Sequence, residues 1–185
     1  MALPKLNIVK HNLILPSTGK KYTFRPFLVK EEKILMMAME SGEATDMIHA
    51  LRDIITSCVE EDIKVNDLPM FDIEYIFLQL RSRSVGEKTP ITYSLENDNC
   101  EKVKGANCSY LVEINLDEVQ VEKNKDHKDI IDLTKEIKIK MRYPKIEASA
   151  EIMGLEGQKL VDKTFAMIGD CIEYIMEGEE MHQTS

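Results

Sequence analysis

Tryptophan is absent from this chain of 185 residues, glycine occurs only 8 times, and the 4 cysteines and 4 histidines are scattered. Each scarcity removes a kind of chemistry. Backbone N–H groups cradle phosphates where glycines cluster, and no Gly-x-Gly-x-x-Gly or Walker pattern occurs, so phosphate-loop and dinucleotide-binding readings fall away. A serine or cysteine nucleophile needs a base and a group to orient that base. His11, His49, His127 and His182 supply no such set, and neither Gly-x-Ser-x-Gly nor His-Glu-x-x-His is present. No catalytic residue and no cofactor are assigned. Carboxylate pairs such as Glu31–Glu32 and Glu60–Glu61 read as solvated faces of an acidic protein.

Long apolar runs are missing too. No stretch reaches the roughly 18 apolar residues of a membrane span. Met1 to Asn7 holds neither the apolar core nor the cleavage site of a signal peptide, so the chain is expected to stay in the cytosol where it is made. Positive charge is in deficit: 24 Lys and Arg against 33 Asp and Glu give a net charge of −9. Affinity for nucleic acid rests on neutralising phosphates. The densest basic group, Lys20, Lys21, Arg25 and Lys30, is broken by apolar residues, and Arg81, Arg83 and Lys88 are looser still. No nucleic-acid partner is expected.

What the chain does have is a core-forming composition, 43% apolar and 31% charged, in a length that supports one core or two lobes. Leu13 to Pro26 reads as a β-hairpin around Pro-Ser-Thr-Gly, with Tyr22 and Phe24 on one face. Val29 to Glu40 follows as a helix closed by Ser41-Gly42, with Glu31 and Glu32 suited to its first turn. Met47, Leu51, Ile54, Ile55 and Cys58 mark a second helix at 3.6-residue spacing. Asp72 is read as the N-cap of a third, carrying Ile73, Ile76, Phe77 and Leu80 on one face. Thr89–Leu95 and Tyr110–Leu116 alternate as strands, with Val119 and Val121 extending or restarting the second. Ile137 to Tyr143 alternates strongly, up to Pro144. Val161, Phe165, Ile168, Ile172 and Ile175 keep spacings of three and four, which predicts a closing C-terminal helix over all of them, with a frayed end from Gly178. The fold class is α+β: N-terminal β-hairpin, three-helix segment, antiparallel β-rich insert and closing helix. The expected division is 1–86, 87–144 and 145–185, the last segment packing back on the first, as one compact unit or two lobes.

Two features invite a functional reading. Cys100 and Cys108 sit in a polar, turn-rich stretch between two strands. Such a loop can carry a zinc knuckle, but a structural zinc takes four ligands and the second Cys pair is missing. Free thiols, a disulfide and a remnant metal pair stay open there, and no metal is assigned. Cys58 and Cys171 fall on apolar helical faces and read as buried. The second feature is methionine: 11 in the chain, with Met36, Met37 and Met39 together on the first helix. Methionine is adaptable and frequent at binding surfaces. That helix is apolar almost around its circumference, so it is expected to be buried on more than one side, one of them by a partner. Met36, Met37 and Met39 on the first helix and Phe71, Tyr75 and Leu78 on the third are the candidate partner-binding residues.

Four phrases occur together: Leu-Pro-Ser-Thr-Gly at 15–19, Arg-Pro-Phe-Leu-Val-Lys-Glu-Glu-Lys-Ile-Leu at 25–35, the run from Leu68 to Glu87 containing Arg-Ser-Arg-Ser-Val-Gly-Glu, and Lys-Ile-Lys-Met-Arg-Tyr-Pro at 138–144. In this order they resemble the baseplate hub assembly protein family of T-even-like contractile-tailed phages, over about residues 12 to 176. The resemblance implies a non-enzymatic role in building the central hub of the tail baseplate, in the host cell cytoplasm. The first reading is an assembly chaperone that binds other hub or tail proteins. The second is a structural subunit retained in the virion tail baseplate, and a third, of another class, is a zinc-dependent module using Cys100 and Cys108. Members of that family carry a cysteine-bearing ribbon after Ser-Val-Gly-Glu, here reduced to two cysteines. They also run on past the closing helix, which implies a shorter C-terminal end in this chain. The partner's identity and the oligomeric state are not specified by the sequence.

Overall fold

The computed structural model describes residues 8–94, 109–152 and 155–183. The hairpin forms as expected: β1 (His11–Ile14) pairs antiparallel with β2 (Lys21–Phe24), with Leu13 opposite Tyr22 and His11 opposite Phe24. Gly19, at φ 71°, supplies the left-handed residue that the turn requires. Three helices follow: α1 (Val29–Ser41), α2 (Ala44–Cys58) and α3 (Met70–Ser84). Gly42, also at φ 71°, ends α1 in the left-handed conformation that an L side chain rarely adopts, so the chain turns into α2 within two residues.

The core lies between the hairpin and these helices. Leu13, Leu15, Tyr22 and Phe24 from the hairpin meet Leu51, Ile54, Ile55 and Cys58 of α2. Ile73, Ile76 and Leu80 of α3 close it, and each of these three is fully buried. Burying such a side chain contributes about 1.5–3 kcal/mol, so this cluster carries most of the driving force for folding. The apolar 3.6-residue stripes of α2 and α3 face inward for that reason.

Three polar clamps join the elements, and each has at least one partner in a phrase of the resemblance. Arg25 Nη2 donates to Glu31 Oε1 at 2.9 Å, while Ser57 Oγ donates to the same oxygen at 2.8 Å and the Leu28 N–H donates to Glu31 Oε2 at 2.8 Å. The last bond is one half of a capping box at the start of α1. The Ser17 N–H donates to Asp72 Oδ1 at 3.1 Å, and the Ser17 hydroxyl bonds the other carboxylate oxygen. Asp72 therefore ties the hairpin turn to α3. It is not the N-cap: Pro69 holds that position, and Asp72 sits buried in the first turn. At the other end of α3, Ser82 Oγ donates to Asp117 Oδ1 at 2.5 Å and Arg83 Nη2 to Asp117 Oδ2 at 2.8 Å. The Phe27 N–H donates to Ser84 Oγ at 2.9 Å.

The Asp117 clamp holds the base of a two-stranded ribbon, β3 (Lys88–Ser94) against β4 (Ser109–Asn115). Leu116–Glu118 is a short 3-10 turn, not further strand, and Val119 and Val121 lie in extended chain beyond it. Four more strands, β5 (Ile130–Asp132), β6 (Ile137–Met141), β7 (Ile172–Glu177) and β8 (Glu180–Gln183), form one antiparallel sheet in the order β5-β6-β7-β8. Between β6 and β7 come two helices, α4 (Ile146–Ile152) and α5 (Gly157–Asp170).

The α+β class is borne out, and the closing helix exists, but it ends at Asp170. Ile172 and Ile175 do not continue it; they pair with Met141 and Ile139 of β6. The residues read as a frayed end form the β7–β8 hairpin, with Gly178 at φ 61° in its turn. The physical reason is that Ile172-Glu173-Tyr174-Ile175-Met176 satisfies a two-residue as well as a four-residue spacing, and the open edge of β6 decides between them. Helix α4 falls in the C-terminal segment 145–185 that the sequence reads as helical, but no apolar spacing marks it as a helix of its own. Its Ile146 reaches the core under α2 and is buried beside it.

Candidate partner-binding surfaces

The structure leaves one side of α1 uncovered. Glu31 and Ala38 are its buried residues, and Leu35 packs against the core. Met36, Met37 and Met39 are exposed at 59%, 60% and 64%, with Val29 beyond them on the same helix. Among the described residues the chain itself covers one side of α1, and the second side, where a partner is expected, is exposed. Its apolar circumference is met by the core on one side and by solvent on the other.

The three candidates on α3 are partly engaged by the chain itself. Phe71 makes an edge contact with Tyr143, ring centres 4.9 Å apart. Tyr75 stands beside Ile14, Pro16 and Gln120 in a shallow cleft. Leu78 is half-buried. Since α1 packs on α2 and α2 on α3, the methionine group and the Phe71–Tyr75–Leu78 group belong to different helices of a three-helix stack.

Sequence reasoning missed a second kind of surface. In the β3–β4 ribbon Ile91 is opposite Val112 and Tyr93 opposite Tyr110, so these four side chains share one face. The tyrosine rings stack at 5.8 Å and remain about half exposed. An isolated two-stranded ribbon with an apolar face is marginal in water. The alternation of Tyr110 and Val112 signals this face, but not that Ile91, Tyr93 and Tyr110 stay exposed. Likewise Leu160, Val161, Phe165 and Ile168 of α5 are all exposed, and α5 has no buried residue. Beyond Leu116, Ile146 and Cys171 are the two buried residues among those described.

Nothing in the described residues assembles a reactive centre. Burial pushes the Cys58 thiol up to about 11, and burial also raises Cys171. Both thiols are therefore protonated and poorly nucleophilic at neutral pH. Native protein treated with a thiol alkylator at pH 7 is expected to leave Cys58 and Cys171 unmodified until denaturant is added, as read by peptide mass mapping. Rapid native labelling of Cys58 would contradict its burial. Cys171 lines a 380 Å³ cleft between α4 and α5 together with Arg142, Lys145, Glu151, Lys163 and Asp170. Those charges are largely committed: Lys163 Nζ pairs with Glu151 at 2.5 Å, and Arg142 donates twice to the Asp170 carbonyl. Cys100 and Cys108 lie outside the described residues, and no cluster of three or more His, Cys, Asp or Glu that could hold a metal ion occurs among those described. No described helix is long and apolar enough to cross a membrane.

These features define an α+β protein whose accessible chemistry is apolar surface rather than a reactive cluster. The chain belongs to the T4 bacteriophage base plate protein family, whose model matches residues 8–185. No curated protein and no solved structure matches it.

Proposed function

We propose that this chain is a non-enzymatic assembly protein of the phage baseplate hub, a chaperone that binds other hub or tail proteins in the host cytoplasm while the tail is built. Family membership supports the setting. The observation that carries the mode of action is the burial pattern: one core formed by the hairpin and α1–α3, joined from beyond Leu116 by Ile146 alone among the described residues. Exposed apolar surface of this kind marks sites where a protein meets a partner. The exposed methionines of α1 suit a partner surface that must adapt its shape.

Charge placed on that surface tests the reading. Met36→Glu with Met37→Glu is expected to leave the fold intact, because both side chains are exposed, and to abolish co-purification with co-expressed hub proteins. Retained co-purification would remove α1 from the interface. The rival reading, a subunit kept in the finished baseplate, is separated by mass spectrometry of purified mature particles: a chaperone is absent from them, a subunit present.

A further inference from the structure

Pro90 sits in the middle of β3, and its place there agrees with the way the backbone groups of the ribbon point. The Leu116 N–H donates to the Glu87 carbonyl at 2.7 Å. Counting in twos along the register from there, Thr89 and Ile114, Ile91 and Val112, and Tyr93 and Tyr110 are the hydrogen-bonded pairs. The alternate residues turn their backbone groups outward. On β3 one of them is Pro90, which has no N–H to offer, so that edge is blocked at its centre. On β4 they are Ser109, Leu111, Glu113 and Asn115, and no proline interrupts them. Among the described strands β4 pairs with β3 alone. Other open edges are short: β1 and β8 have four residues each and β5 has three. Shortness and proline are ordinary ways of closing an edge. β4, seven residues long with Leu111 68% exposed, has neither.

We propose that the open edge of β4 pairs antiparallel with the β4 edge of a second copy of this chain, joining the two ribbons into one four-stranded sheet. The proposal does not rest on the assembly role. An edge of alternating N–H and C=O groups is met by an extended backbone, and β4 itself fits it over its whole length. With Val112 on the two-fold axis, Ser109 stands opposite Asn115 and Leu111 opposite Glu113, so every outward-facing residue of one strand meets an outward-facing residue of the other. In that register Tyr110 faces Ile114 and Val112 faces Val112 as non-hydrogen-bonded pairs, where side chains come closest, and an aromatic beside a β-branched residue is a favourable pair. The apolar faces of the two ribbons then run on across the axis, and a ribbon that is marginal alone becomes part of a sheet large enough to be stable. Charge does not oppose the pairing. Glu113 meets Leu111 rather than another Glu113, and Lys88 holds its carboxylate at 2.6 Å. The helical bodies attach at opposite ends of a sheet about 20 Å long, beyond the roughly 8 Å reach of charge repulsion at physiological salt.

The test is sedimentation velocity of the full chain over a range of loading concentrations, and a reversible monomer–dimer equilibrium is expected. Leu111→Pro places on β4 the block that Pro90 places on β3. It removes an outward N–H and no hydrogen bond of the ribbon, and it is expected to weaken dimerisation by about tenfold or more, since each copy loses a bond across the axis. A pair of cysteine variants reads the register. In a Cys100→Ser, Cys108→Ser background, Val112→Cys is expected to form an intermolecular disulfide under glutathione disulfide. Non-hydrogen-bonded partners lie about 4.5 Å apart at Cα, within disulfide reach. Leu111→Cys is more exposed but stands opposite Glu113, and it is expected to cross-link about tenfold more slowly or less. If Leu111→Pro lowers the melting temperature, the cysteine pair alone decides. A chain monomeric at every concentration would overturn the proposal. So would dimerisation indifferent to a folded Leu111→Pro, equal cross-linking of the two cysteine variants, or a hub protein bound through β4 while the chain by itself stays monomeric.

Discussion

Replacing Glu31 by glutamine is expected to cost about 3 kcal/mol at neutral pH and to lower the melting temperature by about 6–12 °C. Glu31 is 1% exposed, within the first helical turn, and four groups converge on it: Arg25, Ser57, Lys30 and the Leu28 N–H. Burial alone pushes its pKa up, but the hydrogen bonds, that from Arg25 foremost, outweigh it and hold the carboxyl at about 2 against an ordinary 4.5. The unfolded chain therefore binds the extra proton first as pH falls. The stability from Glu31 is fully present above about 4.5 and is lost as pH drops through the window from 4.5 towards 2. In the glutamine variant that acid-side slope is flattened, because the titrating group is gone. The uncharged amide also leaves Arg25 half-buried without a counter-charge, the costly way to break a buried pair. Denaturant melts at pH 7 and pH 3 check both points. A variant as stable as wild type at pH 7 would mean that the clamp contributes nothing.

The second large effect is expected at Ile146. It is the one residue beyond Leu116 that enters the main core cluster, 1% exposed beside α2. Other links between the halves are weaker. The Lys145–Asp67 pair at 3.3 Å joins exposed side chains, which contribute at most about 1 kcal/mol, and Phe71–Tyr143 is a single ring contact. Ile146→Ala should cost about 2–5 kcal/mol. Ile146→Asp should go further and release the segment carrying α4, α5 and the β5–β8 sheet, while Leu13, Phe24, Ile55, Ile73 and Leu80 keep their packing. Hydrogen exchange would then rise throughout that segment and stay slow in α2 and α3. Uniform loss of protection across the chain would instead mean one cooperative unit.

Much of the first half was legible. Turn chemistry at Pro-Ser-Thr-Gly marks the hairpin and apolar spacing marks α2 and α3, because those two helices bury one face against one core. The ribbon strands were also readable from alternation. The second half was not, for a connected reason: among its described residues beyond Leu116 only Ile146 and Cys171 are buried. With no core to select a face, Ile172 and Ile175 could extend a helix or pair as a strand, and the pairing with β6 settled it. The same spacing that placed Val161, Phe165 and Ile168 on a helix gave no sign that they point outward. The phrases of the resemblance proved to mark structure more than surface. Ser17, Arg25, Glu31, Asp72 and Arg83 are clamp residues. The methionines of α1 were found because they crowd a helix that needs fewer apolar residues to reach its core.

The most direct measurement is co-expression of this chain with the baseplate hub proteins of its phage, purification through an N-terminal tag, and identification of what is bound. The account predicts a stable complex containing one or more hub proteins, lost when charge is placed on the exposed apolar faces. A chain recovered alone and monodisperse, with those proteins present and folded in the same cells, would contradict it.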